Sequence, residues 1–284
     1  MRSLIISCIL FSTFLLTFPA GAQIGRRFPS EKKVVTDPLT GVQQTILTSS
    51  QSGNSKIYNT QRQWTADGKW LVFRSRRVPG ETLAVNEESG DIVQVTEGAY
   101  MGVQTLASKS MMLYFMRMNL RQVGQTKPGP VQIVEVDLDG LFADSEAGQL
   151  KAENEYQRVC GTIPAEVGAG GSMALDAGED WVYYRIGKAE AERRIASGMK
   201  IDANIGPGNM EDGPSGIGKM NIKTGETGLV VILPFQVGTI QSNPSVPGEI
   251  VFCRESGDRA PRRSWTVMSD GSGLRPQGAG HGAQ

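Results

Sequence analysis

The segment that most constrains the fold reads Trp64-Thr-Ala-Asp67-Gly68-Lys69-Trp70-Leu-Val-Phe73, a polar turn followed by an apolar run. Asp-Gly favours a tight turn because glycine tolerates positive φ and the aspartate side chain can bond to nearby backbone. The aromatic and β-branched residues that follow favour a strand. Weaker copies of this turn and strand occur at residues 107–115, 176–184 and 246–252.

The four copies are spaced like the blades of a β-propeller with insertions. Phe73, Phe115, Tyr184 and Phe252 end the four strands and are separated by 42, 69 and 68 residues. Only the first interval matches one four-stranded blade, so the other two contain inserts. A second hairpin pattern follows each copy, at residues 83–96, 133–140, 219–231 and 265–274.

We therefore predict an all-β fold, a β-propeller of four-stranded antiparallel blades. About four blades are recognisable, and they form an incomplete ring. An ordinary antiparallel sandwich, which also has many short strands and frequent turns, is the alternative. The inserts at residues 142–156 and 188–198 are polar and rich in helix formers, so we expect surface loops with short helices there.

The composition is that of an ordinary globular protein. Lys+Arg and Asp+Glu both total 29 in 284 residues, so no net charge attracts the chain to nucleic acid or to an anionic membrane. The 35 glycines suit a fold with many short strands and turns.

The N-terminus has the pattern of a cleaved secretory signal peptide. Arg2 precedes an apolar run over residues 4–18 and a small-residue cleavage site at 19–22. We predict a signal peptide over residues 1–22, a mature start near Gln23 and a periplasmic or secreted protein, without membrane association after cleavage. A membrane anchor is the alternative, but the apolar run is shorter than the ~20 residues that span a bilayer.

The remaining chain is predicted to be one propeller domain over residues 23–276. Residues 277–284 have no strand pattern and are predicted to form an unstructured tail. Two cysteines, Cys160 and Cys253, remain in a compartment that permits disulfides. The sequence does not fix their separation, so it leaves open whether they pair.

Two blocks of this sequence resemble a known family. Residues 25–33, 37–41 and 64–70 form the first block, and residues 243–253 with 262–271 form the second. Both are similar to the secreted oligogalacturonate lyases, which are seven-bladed propellers. Between them the blocks span most of the mature chain.

The resemblance implies β-elimination on short uronic-acid oligomers in pectin breakdown. In that reaction a base removes the proton on C5, the neighbouring carboxylate is neutralised, and the oxygen on C4 leaves. Positive charge beside the carboxylate is needed because it stabilises the enolate that develops. The resemblance also implies Mn²⁺ or a similar divalent cation, held in the family mainly by histidines; its ligands are not identifiable in this sequence.

The resemblance also implies candidate site residues. Arg263 falls on the family's Arg-x-Trp position, where it could bind a carboxylate bidentately. Arg254 and Arg262 are flanking cations and candidate substrate-binding residues. His281 is the single histidine of the chain and the one candidate for an imidazole base.

A second class of function stays open. A non-catalytic extracytoplasmic propeller would bind oligosaccharide or protein on the face where the blade loops converge. Histidines distinguish the two classes, because the lyase mechanism of the family needs several of them.

Overall fold

The computed structural model describes residues 23–118, 129–202, 213–255 and 262–278. The described residues are mostly β and form four large antiparallel sheets and a separate two-stranded hairpin. The predicted signal peptide and residue His281 lie outside the described residues, so those predictions are not tested. Within the described part, no helix has the length and apolar character needed to cross a membrane.

The N-terminal segment packs on the outside of the first large sheet. Strand β1 (Arg27–Phe28) pairs with the last strand of that sheet. Strands β2 (Lys33–Thr36) and β3 (Gln43–Ile46) form an almost fully exposed hairpin. The sequence analysis did not predict these strands, because they are short and have no clear alternation of apolar residues.

Sheet 1 contains the most informative motif of the sequence. Its strands are β4 (Asn54–Lys56), β5 (Trp70–Ser75), β6 (Thr82–Asn86) and β7 (Ile92–Gln94), and its order is β1-β7-β6-β5-β4. The predicted Asp-Gly turn leads directly into β5.

Sheet 2 consists of β8 (Met101–Leu106), β9 (Met112–Met118), β10 (Val131–Asp137) and β11 (Gln157–Ile163). Helix α1 (Leu138–Ala147) connects β10 to β11. The hairpin predicted over residues 133–140 is therefore wrong beyond β10, because the chain continues into α1 and not into a second strand. The Asp137 carboxylate accepts hydrogen bonds from two backbone N–H groups of the next turn, which starts a helix there.

Sheet 3 consists of β12 (Met173–Leu175), β13 (Trp181–Ile186), β14 (Ser215–Asn221) and β15 (Thr227–Leu233). Helix α2 (Lys188–Arg194) lies between β13 and β14. Helices α1 and α2 confirm the prediction that the two polar inserts contain short helices.

Sheet 4 consists of β16 (Val237–Ser242), β17 (Glu249–Arg254), β18 (Ser264–Met268) and β19 (Arg275–Pro276). In sheets 2, 3 and 4 the strands follow one another in chain order, as in propeller blades. The four predicted turn-and-strand copies correspond to β5, β9, β13 and β17. Each is the second strand of its blade.

The core lies between successive sheets. Three apolar clusters join sheet 1 to 2, sheet 2 to 3 and sheet 3 to 4, with Phe115, Tyr184 and Phe252 among their buried members. A fourth cluster lies on the outward face of sheet 1, where Phe28 and Leu47 cover it. No described cluster joins sheet 4 to sheet 1, so the described sheets form an open arc. The prediction of an incomplete propeller is confirmed.

The turns between first and second strands hold neighbouring blades together by hydrogen bonds. The Glu179 carboxylate accepts hydrogen bonds from the backbone N–H groups of Ser108, Lys109 and Ser110 in the turn of sheet 2. The Asp176 carboxylate accepts one from Gly248 in the turn of sheet 4, at 2.7 Å. Sheet 3 is thus tied to both neighbours at this end of the axis.

The two described cysteines do not pair. Cys160 is buried in sheet 2 and Cys253 lies on β17 of sheet 4, and both are free thiols. Burial raises the pKa of the Cys160 thiol to about 12, so it stays protonated.

Candidate functional site

The first strands of the blades surround a common axis. Strand β12 lies against both β8 and β16. In sheet 1, the chain after β4 leaves the ladder and crosses toward sheet 4, where the Tyr58 hydroxyl lies 3.3 Å from the Thr239 hydroxyl. This irregular segment also places the side-chain amide of Gln61 at the Met173 carbonyl. All four sheets therefore meet near one axis.

A cavity of about 340 Å³ opens at the end of the axis where the first strands begin. We call it the axial cavity. It is lined by Tyr58, Gly102, Val103, Gly171, Ser172, Arg185, Gly238, Thr239 and Glu255. Ligand sites of propellers and other folds with convergent loops favour such concave positions.

Glycines in the lining of the axial cavity leave space that side chains would fill. A Cβ on Gly102 would lie 2.8 Å from the carbonyl oxygen of Gly171, and the φ of +69° at Gly102 also disfavours other residues. A Cβ on Gly238 would collide with the Glu255 carboxylate and would lie 2.6 Å from Cys253 Sγ. A side chain at either position would therefore narrow the cavity.

Arg185 supplies positive charge to the axial cavity. It lies near the end of β13, and its Nε is buried with no hydrogen-bond partner among the described residues. Glu255, just after β17, lies in the same cavity, but no ion pair joins the two side chains in the described structure. Arg185 is therefore a cation of the lining whose charge no described carboxylate offsets through an ion pair.

The hydroxyl groups of the cavity are fixed by contacts between blades. Ser172 Oγ accepts a hydrogen bond of 2.7 Å from the Ile240 N–H, and Thr239 is held by Tyr58. The Thr239 N–H donates to Cys253 Sγ at 3.1 Å. A cation, a carboxylate, hydroxyls and a phenol therefore converge in a preformed site.

This combination suits a sugar acid. A guanidinium binds a carboxylate through charge-assisted hydrogen bonds. A carboxylate such as Glu255 accepts hydrogen bonds from ring hydroxyls, and Tyr58 can contact a sugar ring or a hydroxyl.

A second cavity, of about 310 Å³, lies at the opposite end of the first strands. Its cation, Arg62, is already engaged, because the guanidinium donates to the carbonyl oxygens of Trp64 and Thr65. Asp176 in its wall is likewise bonded to Tyr183 and to backbone N–H groups. The axial cavity is thus the better candidate for a charged ligand.

The arginines named by the sequence lie outside the lining of the axial cavity. Arg254 is ion-paired with Asp202 at 3.1 Å, and its guanidinium stacks 5.2 Å from the centre of the Phe235 ring. Arg262 and Arg263 are exposed on the connection between β17 and β18. The Arg263 carbonyl accepts a hydrogen bond from the Arg254 N–H, which places it at the same end of the axis as Glu255.

Sequence reasoning missed Arg185, Glu255 and Tyr58. Arg185 carried a usable signal, because it shares one face of β13 with Trp181 and Tyr183, and a cation on an otherwise aromatic face is unusual. Glu255 and Tyr58 carried none, since one follows a strand and the other lies in an irregular segment.

The residues present do not fit a histidine-rich metal site. The described residues contain no group of three or more His, Cys, Asp or Glu side chains able to hold a metal ion. The whole sequence has one histidine, so several imidazoles cannot come from this chain.

Comparisons with known proteins support the fold. No family model matches the chain, and no curated protein matches it. An oligogalacturonate lyase in complex with manganese matches with a TM-score of 0.65 and 19% identity, over 90% of this chain and 61% of that one. An oligogalacturonate lyase from Vibrio parahaemolyticus matches with the same TM-score and identity, over 89% and 60%.

The chain thus spans about three fifths of the length of these two structures. The TM-score of 0.65 establishes a shared fold, and at 19% identity the comparison shows the fold alone. The four blades described here therefore have the β-propeller fold of the oligogalacturonate lyases.

Proposed function

We propose that this chain is an oligogalacturonate lyase-like protein whose axial cavity binds short oligogalacturonates. One observation carries the proposal: Arg185 lines a preformed cavity on the propeller axis, and no carboxylate of the described residues forms an ion pair with it. The similar lyase structures support this substrate class. We also propose secretion or a periplasmic location, on the basis of the N-terminal sequence pattern.

The charges of the cavity favour a singly charged uronate over a doubly charged phosphate. Arg185 can form a bidentate pair with one carboxylate. Glu255 in the same cavity would repel a doubly charged phosphate, but it can accept hydrogen bonds from the hydroxyls of a sugar ring. A galacturonate residue offers one carboxylate and several hydroxyls.

Arg185 also suits one requirement of β-elimination. Neutralising the substrate carboxylate makes the C5 proton more acidic, and a guanidinium paired with that carboxylate provides positive charge. We assign no step to a metal, because the residues of this chain do not fit the manganese site that the family resemblance implied. The expected behaviour is therefore binding of oligogalacturonate without manganese-dependent elimination.

Binding is tested by calorimetry with trigalacturonate and with its neutral methyl ester. The wild-type protein should bind the acid and not the ester. Arg185→Gln should weaken binding about tenfold to a hundredfold, as expected for loss of a charge-assisted pair. Arg275→Gln is the matched control, because Arg275 is an exposed arginine on the outer strand of sheet 4. Equal affinities of the Arg185 variant and the control would refute the proposal.

Elimination is tested separately by the ultraviolet absorbance of the unsaturated product. Trigalacturonate incubated with the protein and Mn²⁺ should yield no signal above that of metal alone. A strong manganese-dependent signal would overturn this expectation and would require metal ligands that the described residues do not contain.

A further inference from the structure

Another cavity of the described structure lies on sheet 1, away from the axis. It encloses about 640 Å³ and is lined on one side by the end of β5 and on the other by the chain that leads into β8. Its chemistry-bearing residues are Ser55, Arg74, Arg76, Glu81 and Tyr100. We call it the sheet-1 cavity.

The sheet-1 cavity is positively charged. Arg76 is exposed, and its guanidinium has no hydrogen-bond or ion-pair partner among the described residues. Arg74 donates from Nε and Nη2 to the Lys56 carbonyl, a neutral group, so its charge is not compensated by a carboxylate. Glu81 is the one acidic residue of the lining, and its carboxylate accepts hydrogen bonds from Thr96, Gly98 and Ala99 rather than from the arginines.

Glu81 lines the sheet-1 cavity from the residue just before β6. Its carboxylate is buried and accepts hydrogen bonds from the N–H groups of Gly98, at 3.1 Å, and Ala99, at 2.9 Å. Ala99 has a φ of +62°, which is uncommon for a residue with a side chain and costs about 1 kcal/mol. This turn places Tyr100 in the wall, where its N–H bonds to the Gly80 carbonyl.

The sheet-1 cavity and the axial cavity are neighbours on the same face of the propeller. Tyr100 lines the first and Gly102 lines the second, two residues further along the chain. At the other side Ser55 lines the first cavity and Tyr58, three residues further along the chain, lines the second. Two residues of extended chain span about 7 Å, so one oligosaccharide could reach both cavities.

We propose that the sheet-1 cavity is a second acidic-sugar site, in which Arg76 binds a carboxylate of an oligogalacturonate that also occupies the axial cavity. The inference rests on the proposed function for its ligand class, but it concerns different residues. A ligand that occupies both cavities must contain more than one sugar residue.

The two sites can be observed separately by NMR. Backbone amides of Gly80 and Tyr100 report on the sheet-1 cavity, and those of Gly171 and Thr239 report on the axial cavity. Monomeric galacturonate should shift both sets of signals in the wild-type protein. Trigalacturonate should shift both sets at one equivalent.

Arg76→Gln is the decisive variant, because Arg76 is exposed and has no described partner whose loss would unfold the chain. It should abolish the galacturonate shifts of Gly80 and Tyr100, keep those of Gly171 and Thr239, and weaken trigalacturonate binding about tenfold. Arg275→Gln again serves as the control. Unchanged shifts at Gly80 and Tyr100, or unchanged trigalacturonate affinity, would overturn the inference.

Arg185→Gln separates this result from the proposed function. If only the sheet-1 signals respond to galacturonate in the wild-type protein and Arg185→Gln has no effect, the axial proposal fails. Binding of an acidic sugar by Arg76 then stands, and occupation of both cavities by one oligosaccharide is refuted. If only the axial signals respond, the sheet-1 site fails and the axial proposal stands.

Discussion

Replacing Glu179 by glutamine should weaken the junction between sheets 2 and 3. One carboxylate oxygen of Glu179 accepts hydrogen bonds from the N–H groups of Ser108 and Lys109, both at 2.7 Å. The other accepts from the Ser110 N–H at 3.2 Å and from its hydroxyl at 2.7 Å. A glutamine has only one acceptor oxygen, so its NH₂ group would face backbone donors on one side.

The expected loss of stability is about 2 kcal/mol. A hydrogen bond to a charged group contributes about 1.5 to 3 kcal/mol, but bonds that share one acceptor are not additive and Glu179 is partly exposed. The φ of +59° at Glu179 is the same in both proteins and therefore cancels. For a chain of this size a loss of 2 kcal/mol corresponds to a fall in Tm of roughly 4 to 8 °C.

The assay is urea unfolding at neutral pH, with Glu192→Gln as the matched control. Glu192 is an exposed glutamate on α2, so its substitution removes the same charge without the hydrogen bonds. A free energy of unfolding for the Glu179 variant within about 0.5 kcal/mol of the control would refute the proposed role of the turn carboxylate.

The pH dependence gives a second check on Glu179. Burial raises the pKa of its carboxyl, but the hydrogen bonds from Ser110, Lys109 and Ser108 outweigh that effect and hold the pKa below the ordinary 4.5. A lowered pKa in the folded state means that the unfolded state binds the proton more tightly. The stabilisation by the Glu179 carboxylate is thus complete above pH 4.5 and is lost as the pH falls through the pKa of the folded state. The glutamine variant should lose less stability over that range than the wild type.

Three further outcomes are expected. Gly238→Ala should weaken trigalacturonate binding about tenfold by calorimetry, because the new methyl group lies 2.6 Å from Cys253 Sγ; wild-type affinity would contradict the assignment of the cavity. Cys253 should react with a thiol reagent before Cys160, whose pKa burial raises to about 12, and equal rates by mass spectrometry would argue against this. Trp70→Ala should lower the free energy of unfolding in urea by about 3 kcal/mol, because the Trp70 ring stacks on the Phe142 ring with 4.0 Å between the ring centres. A loss below about 1 kcal/mol would exclude this packing role.

Some strands were predictable from the sequence because turn chemistry and apolar alternation agree there. Strands β5, β13 and β17 each follow a turn rich in Asp, Gly or Pro and carry aromatic residues toward the core. Strands β4 and β12 were not predictable, because each has three residues and too little sequence for a period to show.

The axial cavity was harder to predict because its contacts are distant in sequence. Tyr58 and Thr239 are 181 residues apart and meet only once the sheets are assembled. Arg254 has the side-chain chemistry of a uronate-binding residue, but Asp202 and Phe235 already engage it. Composition shows which residues could bind an anion, whereas the fold decides which of them are still unpaired.

The two ends of the axis differ in how their charges are satisfied, and this difference separates stability from binding. At the turn end, Glu179 and Asp176 accept hydrogen bonds from neighbouring blades, so these carboxylates stabilise the arc. At the other end, glycines leave space and Arg185 and Arg76 lack described ion-pair partners. Both proposed uronate sites therefore lie where a described arginine has no acidic partner, and the turn carboxylates that stabilise the arc lie at the opposite end.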